Sequence, residues 1–214
     1  MILILDLDDT IFPATSLDYS IFDKAKSIVE SYTIETFGPA KSAKIIEEVK
    51  LTPFDVVARK YDFPEEMIRL FEKEINAIDY SLDINVFDDY HYLKNLNVEK
   101  YLVTAGFSRL QKAKIDALKI ESDFREVFID DPFDPNRQFK QQFFEQILHT
   151  TQMPPEKTWV IGDNPSMELK AGKNLNLNTI QRLNQNSQRS AYADHTIFSF
   201  EDLSLILNTG KNKI

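Results

Sequence analysis

Two carboxylates stand two residues apart in Asp6-Leu7-Asp8, closing the apolar run Ile2-Leu3-Ile4-Leu5. Asp163 closes a second run, Thr158-Trp159-Val160-Ile161-Gly162, and Thr104 closes a third, Tyr101-Leu102-Val103. Lys140 opens a helical stretch after a fourth, Val127-Phe128-Ile129. If these runs are neighbouring strands, three carboxylates, a hydroxyl and an ammonium meet at one sheet edge. Carboxylates so close repel one another unless a cation joins them, and hard oxygen donors suit magnesium. A site of this kind can accept an anionic ligand, because a bound ion reverses the local sign of the field.

The elements that must position these residues follow from periodicity. Short apolar runs closed by polar residues are the pattern of strands buried on both faces. Asn178-Thr179-Ile180 and Thr196-Ile197-Phe198 add two more candidates. Helical stretches lie between the runs. One covers Tyr90 to Leu96; another opens at Ser108 with Gln111 at capping-box spacing and continues through Leu118; a third carries Phe143, Phe144, Ile147 and Leu148. Asn164-Pro165 has the form of a cap and first helical position, with Gly172 near that helix's end. From about Leu17 to Tyr80 the reading is helical throughout: Phe22, Ala25, Val29 and Tyr32 recur at three- and four-residue steps. Thr52-Pro53 and Asp62-Phe63-Pro64-Glu65-Glu66 read as helix starts within it. Strands alternating with helices imply parallel units with right-handed crossovers, hence an α/β fold with a doubly wound parallel sheet and a helical insert after its first strand. Ligands of such sheets bind outside the carboxyl ends of the strands, where Asp6, Asp8, Thr104 and Asp163 fall.

This set resembles the haloacid dehalogenase-like (HAD) hydrolase superfamily. The matching pieces are Ile2 to Thr10, Tyr101 to Thr104, Lys140, Gly162-Asp163-Asn164-Pro165-Ser166-Met167-Glu168, and the closing strand and helix Ala193 to Leu203. The resemblance implies a Rossmann-like core, residues 1–14 and 82–214, and a small all-helical cap, residues 15–81. It also implies a Mg2+-dependent phosphatase acting through an aspartyl phosphate on Asp6. Asp6 would be the nucleophile, and Asp8 would protonate the leaving oxygen and then activate water. Asp6, the Asp8 backbone carbonyl and Asp163 would hold magnesium, with Glu168 a further ligand or an orienter of waters. Thr104 would donate to a phosphoryl oxygen, and Lys140 would offset the charge on Asp6 and on the transition state. Arg137 competes with Lys140 for that last role. Ala105 stands where the family often has Asn, which removes a side-chain contact while leaving a backbone one open.

Composition narrows the partners. The formal charge is −9 and no Lys/Arg-rich run appears, so a nucleic-acid polymer is not expected. The chain has no cysteine, which removes thiolate chemistry, and no apolar stretch long enough to predict a membrane span. The Met1–Leu5 lead is too short for a secretory signal core, so a cytoplasmic protein is expected. Only five glycines are present, none in a phosphate loop, which argues against nucleoside-triphosphate machinery. Asp130, Asp131 and Asp134 read as a solvated acidic loop, and His91, His149 and His195 lack metal-ligand spacing. Aromatics of the helical stretch such as Tyr19 and Phe22 read mostly as helix core, with one or two able to touch a ligand.

The expected ligand is a small phosphorylated metabolite. The opening Asp-Leu-Asp-Asp-Thr-Ile-Phe-Pro also resembles pyrimidine nucleotidase-like members, which suggests a nucleoside monophosphate. A phosphotransferase or phosphomutase of the same chemistry, and a non-catalytic phospho-ligand binding protein, are the alternatives. Asp8 argues against a dehalogenase, since halide departs without a proton whereas an alkoxide needs one.

Overall fold

A computed structural model describes residues 1–137, 139–185 and 187–209. Six strands form one parallel sheet: β1 (Ile2–Leu5), β2 (Glu99–Ala105), β3 (Glu126–Asp130), β4 (Thr158–Gly162), β5 (Asn178–Arg182) and β6 (His195–Ile197). Their order is β3-β2-β1-β4-β5-β6. The chain starts at the centre, runs outward to one edge, then returns to β4 and builds the other half. That reversal places a switch point between β1 and β4, where doubly wound sheets open a crevice at the strand ends. Leu5 pairs with both Leu102 and Ile161, so Asp6 emerges between the ends of β2 and β4, close in register to Thr104 within β2 and to Asp163 just past β4.

The alternation of side chains along β1 explains both layers of core. Leu3 and Leu5 join a cluster with Leu93 of α5 (Tyr90–Lys94), Leu110 and Ile115 of α6 (Ser108–Leu118), and Leu203 of α9 (Leu203–Thr209). Ile2 and Ile4 face the opposite layer, with Phe144 and Ile147 of α7 (Phe139–Thr151) and Ala171 of α8 (Lys170–Asn174). A strand covered on both faces must be apolar at every position, and Ile2–Leu5 is buried throughout.

Four helices fill the stretch between β1 and α5: α1 (Asp23–Phe37), α2 (Pro39–Leu51), α3 (Phe54–Lys60) and α4 (Glu65–Ala77). They enclose a cluster of their own, in which Val29, Ile45, Phe54, Met67 and Phe71 are buried. Burying a Phe or Leu contributes about 2 kcal/mol each, and that burial supplies most of what short helices lack on their own. Among the described residues no helix is long and apolar enough to cross a membrane.

Two local expectations change. Thr52 ends α2, its backbone N–H closing onto Glu48, and Pro53 precedes α3 without a side-chain cap. Ser108 and Gln111 form no capping box; the first helical N–H of α6 is met by Asp131 Oδ2 at 3.0 Å, and the Gln111 amide is drawn to the strand ends instead. Gly172 lies near the end of α8 as expected, where a Cβ would crowd Thr179 and Val160 at 3.0 and 3.1 Å. The Asn164 cap holds: its Oδ1 accepts from Ser166 N at 3.0 Å, opening a π-helical turn over Pro165–Leu169.

Candidate active site

Asp6 is the first residue beyond β1 and is 7% exposed. Continuing the alternation of Ile2 and Ile4, it lies on the α7 side, where Lys140 Nζ sits 2.5 Å from its Oδ1. The same ammonium donates to Glu168 Oε2 at 3.0 Å. Lys140 is the second residue of α7, following Phe139, whose φ of +63° is a left-handed conformation unusual for a bulky residue. Arg137 does not reach this corner. Its guanidinium pairs with Asp130 at the end of β3 and with Asp55 of α3. Asp130 is therefore not part of a solvated loop: it is 1% exposed and satisfied by Arg137.

One oxygen each from Asp6, Asp163 and Glu168 lies within 4.8 Å of the others. Glu168 tucks beneath the end of β4, and its Oε1 accepts from Asn164 N at 2.6 Å. Gly162 makes this possible, since a Cβ there would stand 2.3 Å from Glu168 Cγ. Among the described residues no hydrogen-bond donor reaches the Asp163 carboxylate. Three acids against one ammonium leave two negative charges in a buried corner. Burial pushes Asp6 up to about 7, with Lys140 opposing and Glu168 and Asp8 adding to the rise. Burial likewise pushes Asp163 up to about 8, reinforced by Asp6, Glu168 and Asp9. For Lys140 burial disfavours the charge, but Asp6 and Glu168 outweigh it and hold the ammonium above its ordinary range. An all-oxygen donor set with two uncompensated charges fits a hard divalent cation such as magnesium.

Asp8 faces the other layer. Beyond Leu5 the chain leaves the sheet in a tight turn, with Ile11 N bonded to Leu7 O at 2.8 Å and Asp9 at a φ of +53°. This turn delivers the Asp8 carboxylate to α6, where Lys114 Nζ meets Oδ1 at 2.6 Å and Gln111 Nε2 meets Oδ2 at 2.9 Å. Gln111 also bonds the Thr104 hydroxyl and the Ala105 carbonyl. Its amide packs against Gly106, whose φ of +148° and 3.0 Å approach to Gln111 Cδ both require the absence of a side chain. Thr104 is fully buried with its hydroxyl against Gln111, whereas Ala105 and Gly106 line the cavity.

Sequence reasoning gave Gln111 only a capping role and did not single out Lys114. Their signal was available: with Ile115 and Leu118 they occupy steps of three and four on the inward face of α6, where a buried amide and ammonium interrupt an apolar stripe. A cavity of about 690 Å³ opens above Asp6, Asp8, Lys140, Asp163 and Glu168 and extends among α1–α4.

A doubly wound parallel sheet whose central strand ends present acids around a buried ammonium defines a cation-seeking centre at the switch point. The chain belongs to the haloacid dehalogenase-like hydrolase family, whose profile matches residues 3–181. The fold is shared with solved structures at low identity. SP0104 from Streptococcus pneumoniae, a haloacid dehalogenase-like hydrolase, is 17% identical with a TM-score of 0.69, the match covering 96% of this chain and 97% of that one. YfnB from Bacillus subtilis, a HAD-hydrolase bound to magnesium, is 19% identical with a TM-score of 0.62, covering 97% and 98%. CbbY from Rhodobacter sphaeroides, in complex with phosphate, is 14% identical with a TM-score of 0.63, covering 94% and 95%. Dehalogenases share the fold as well. No curated protein sequence matches the chain.

Proposed function

We propose that the protein is a Mg2+-dependent phosphatase that hydrolyses a small phosphorylated metabolite through an aspartyl phosphate on Asp6. The observation that carries the choice of phosphoryl over halide chemistry is Asp8, held between Lys114 and Gln111 with its side chain 30% exposed beside the nucleophile. A halide leaves without a proton, whereas the alkoxide of a phosphate ester needs one, and Asp8 would give it.

Lys140 engages Asp6 Oδ1, leaving Oδ2 to attack phosphorus in line. The bond from phosphorus to the ester oxygen breaks, and the Asp8 carboxyl passes its proton to that oxygen. Asp8, now ionised, takes a proton from water as the water attacks phosphorus, releasing phosphate and restoring Asp6. Asp6, Asp163, Glu168 and the Asp8 backbone carbonyl would hold the magnesium, which supplies charge compensation and Lewis-acid polarisation. Glu168 also fixes Lys140 and the Asn164 turn, so it supports the centre even where water completes the coordination. Thr104, buried against Gln111 and off the cavity wall, would position the Gln111 amide, and the backbone of Ala105 and Gly106 would face the phosphoryl group.

In this reading residues 1–14 and 82–214 form the catalytic domain and residues 15–81 a cap that closes over the phosphate and selects the ester. The separate apolar core of α1–α4 and their share of the cavity wall support that division. A nucleoside monophosphate fits a cavity of about 690 Å³. The deciding experiment is a screen of phosphorylated metabolites for phosphate release with magnesium, beside Asp6→Asn. Turnover that survives in Asp6→Asn, or release of halide but not phosphate, would overturn the proposal.

A further inference from the structure

Among the described residues, every ion pair and ring contact that joins α1–α4 to the sheet half ends on Phe107, Phe133 or Arg137. Phe107 lies in the turn between β2 and α6, and Phe133 and Arg137 lie in the segment between β3 and α7. The rings of Phe107 and Phe133 stack at 5.1 Å and pack against the apolar cluster of the insert. Phe133 meets Phe54 at 5.9 Å and Phe71 at 6.2 Å, and Phe107 meets Phe71 at 5.9 Å. Next to Phe54, the Asp55 carboxylate accepts from the Arg137 guanidinium, whose side chain is 3% exposed. The first two residues of α3 are thus held side by side, one by an aromatic contact and the other by a buried ion pair.

The segment that holds them is itself fixed to the sheet half at both ends. Asp131 Oδ1 accepts from Phe133 N at 2.9 Å and its Oδ2 accepts from Ser108 N at 3.0 Å, which ties Phe133 to the start of α6. Arg137 grips Asp130, at the end of β3, through Nε at 2.5 Å and Nη2 at 2.9 Å. Phe133 and Arg137 are therefore presented to the insert by a braced seat.

None of these contacts involves Asp6, Asp8, Lys140, Asp163 or Glu168. Lifting the insert would bare Phe54, Phe71, Phe107 and Phe133 together and part Arg137 from Asp55, whatever the acid corner holds. The cavity has its opening elsewhere. Buried Phe54 and Pro132 line it on the side of the seat, whereas Tyr19, Ser20, Asp23, Lys26 and Lys50 line it and are exposed. We propose that the β3–α7 segment is a catch that keeps the insert seated on the sheet half whether or not the acid corner is filled, so that a small ligand enters by this exposed mouth without the insert lifting. The catch is independent of the chemistry at the corner, and its failure would leave the phosphatase reading standing.

The chain has no cysteine, so the full-length protein can be labelled for energy transfer at Lys44→Cys in α2 and Lys157→Cys before β4, both exposed positions. The transfer efficiency is expected to match the separation in the structure and to stay there when magnesium and inorganic phosphate are added. A lower efficiency in buffer that rises on that addition would show an insert that closes onto its ligand and would overturn the catch. Phe133→Ala and Asp55→Asn, each checked for a cooperative melting transition, should each lower and broaden the efficiency, and the two together should lower it most. Phe133→Leu keeps an apolar contact at the seat and should stay near the unaltered value. Where Phe133→Ala does not fold, Asp55→Asn carries the test. An unchanged efficiency in the folded variants would overturn the assignment of the catch to this segment.

Discussion

Lys114 Nζ lies 2.6 Å from Asp8 Oδ1, the lysine side chain 5% exposed and the aspartate 30%. The ammonium holds one carboxylate oxygen at the cavity wall, while Gln111 from the preceding turn of α6 holds the other. Neither residue touches the metal corner. Together they fix where Asp8 points, which would matter under the proposed mechanism, where Asp8 delivers a proton to one atom.

Removing that support should separate chemistry from binding. Lys114→Met is expected to lower kcat by about 10- to 100-fold, the usual cost of losing a positioning partner, with KM for the ester moving much less. Lys114→Arg should recover part of the loss. Steady-state kinetics on the best ester from the screen decide it: a change confined to KM, or no change in a folded variant, would refute the role.

The acid corner makes the metal-free protein pH-sensitive in a definite direction. Asp6 and Asp163, ordinarily near 3.8, are pushed up to about 7 and about 8 chiefly by burial, with Glu168 adding to both. Their folded forms favour the proton, so the stability they contribute is present below the ordinary value and is lost as pH rises through 7 to 8. The melting temperature of chelator-treated protein should therefore fall between pH 5.5 and 8.5. Magnesium should raise it more at pH 8.5 than at pH 5.5, because the ion competes with protons. Asp163→Asn should raise the metal-free melting temperature at pH 8.5 and abolish most of the magnesium response. A flat pH profile would exclude the uncompensated corner.

Gly162 is where a single methyl group should disable the site without touching an acid. Gly162→Ala places a Cβ 2.3 Å from Glu168 Cγ and 2.4 Å from its Oε1. Glu168 must leave, releasing both Lys140 and the Asn164 N–H. A stability loss of about 1–3 kcal/mol and at least a tenfold weaker magnesium affinity are expected, read by denaturant unfolding and by calorimetric titration. Magnesium affinity equal to the unaltered protein would show that Glu168 has no part in the corner.

Arg137 links the sheet to the insert through Asp130 and Asp55. Burial opposes its charge, but the two carboxylates hold it above its ordinary range. Arg137→Ala leaves Asp130 buried without a partner and should cost about 3–5 kcal/mol. Asp55→Ala removes the link to the insert and an exposed pair with Arg59; it should cost far less and raise KM more than it lowers kcat. Unfolding measurements on both variants check the first difference, and a kcat loss without a KM change in Asp55→Ala would argue against a link to the insert.

Much of this was legible in the amino-acid order. A strand covered on both faces must be continuously apolar, so Ile2–Leu5, Tyr101–Val103 and Thr158–Ile161 announce themselves, and the polar residue that ends each marks the sheet edge. Asp6, Thr104 and Asp163 were read that way; the structure gathers Asp6 and Asp163 with Lys140 and Glu168 in one corner, turns Asp8 to α6 and buries Thr104 against Gln111. The short-range signals failed where distant groups offered something better. Gln111 had capping-box spacing but found two strand-end acceptors, and the acidic loop looked solvated until Arg137 closed on Asp130.

The sequence by itself determined which elements form, their parallel order of succession and which acids lie at the strand ends, because those depend on periodicity and on residues adjacent in the chain. Only the tertiary structure decided that Lys140 rather than Arg137 meets Asp6, that Lys114 and Gln111 grip Asp8, and that Phe107 lines up with Phe71 beside the corner. Those choices pair residues dozens to more than a hundred positions apart, and they are set by which helix packs on which face of the sheet, a consequence of burial summed over the whole core that no local spacing encodes.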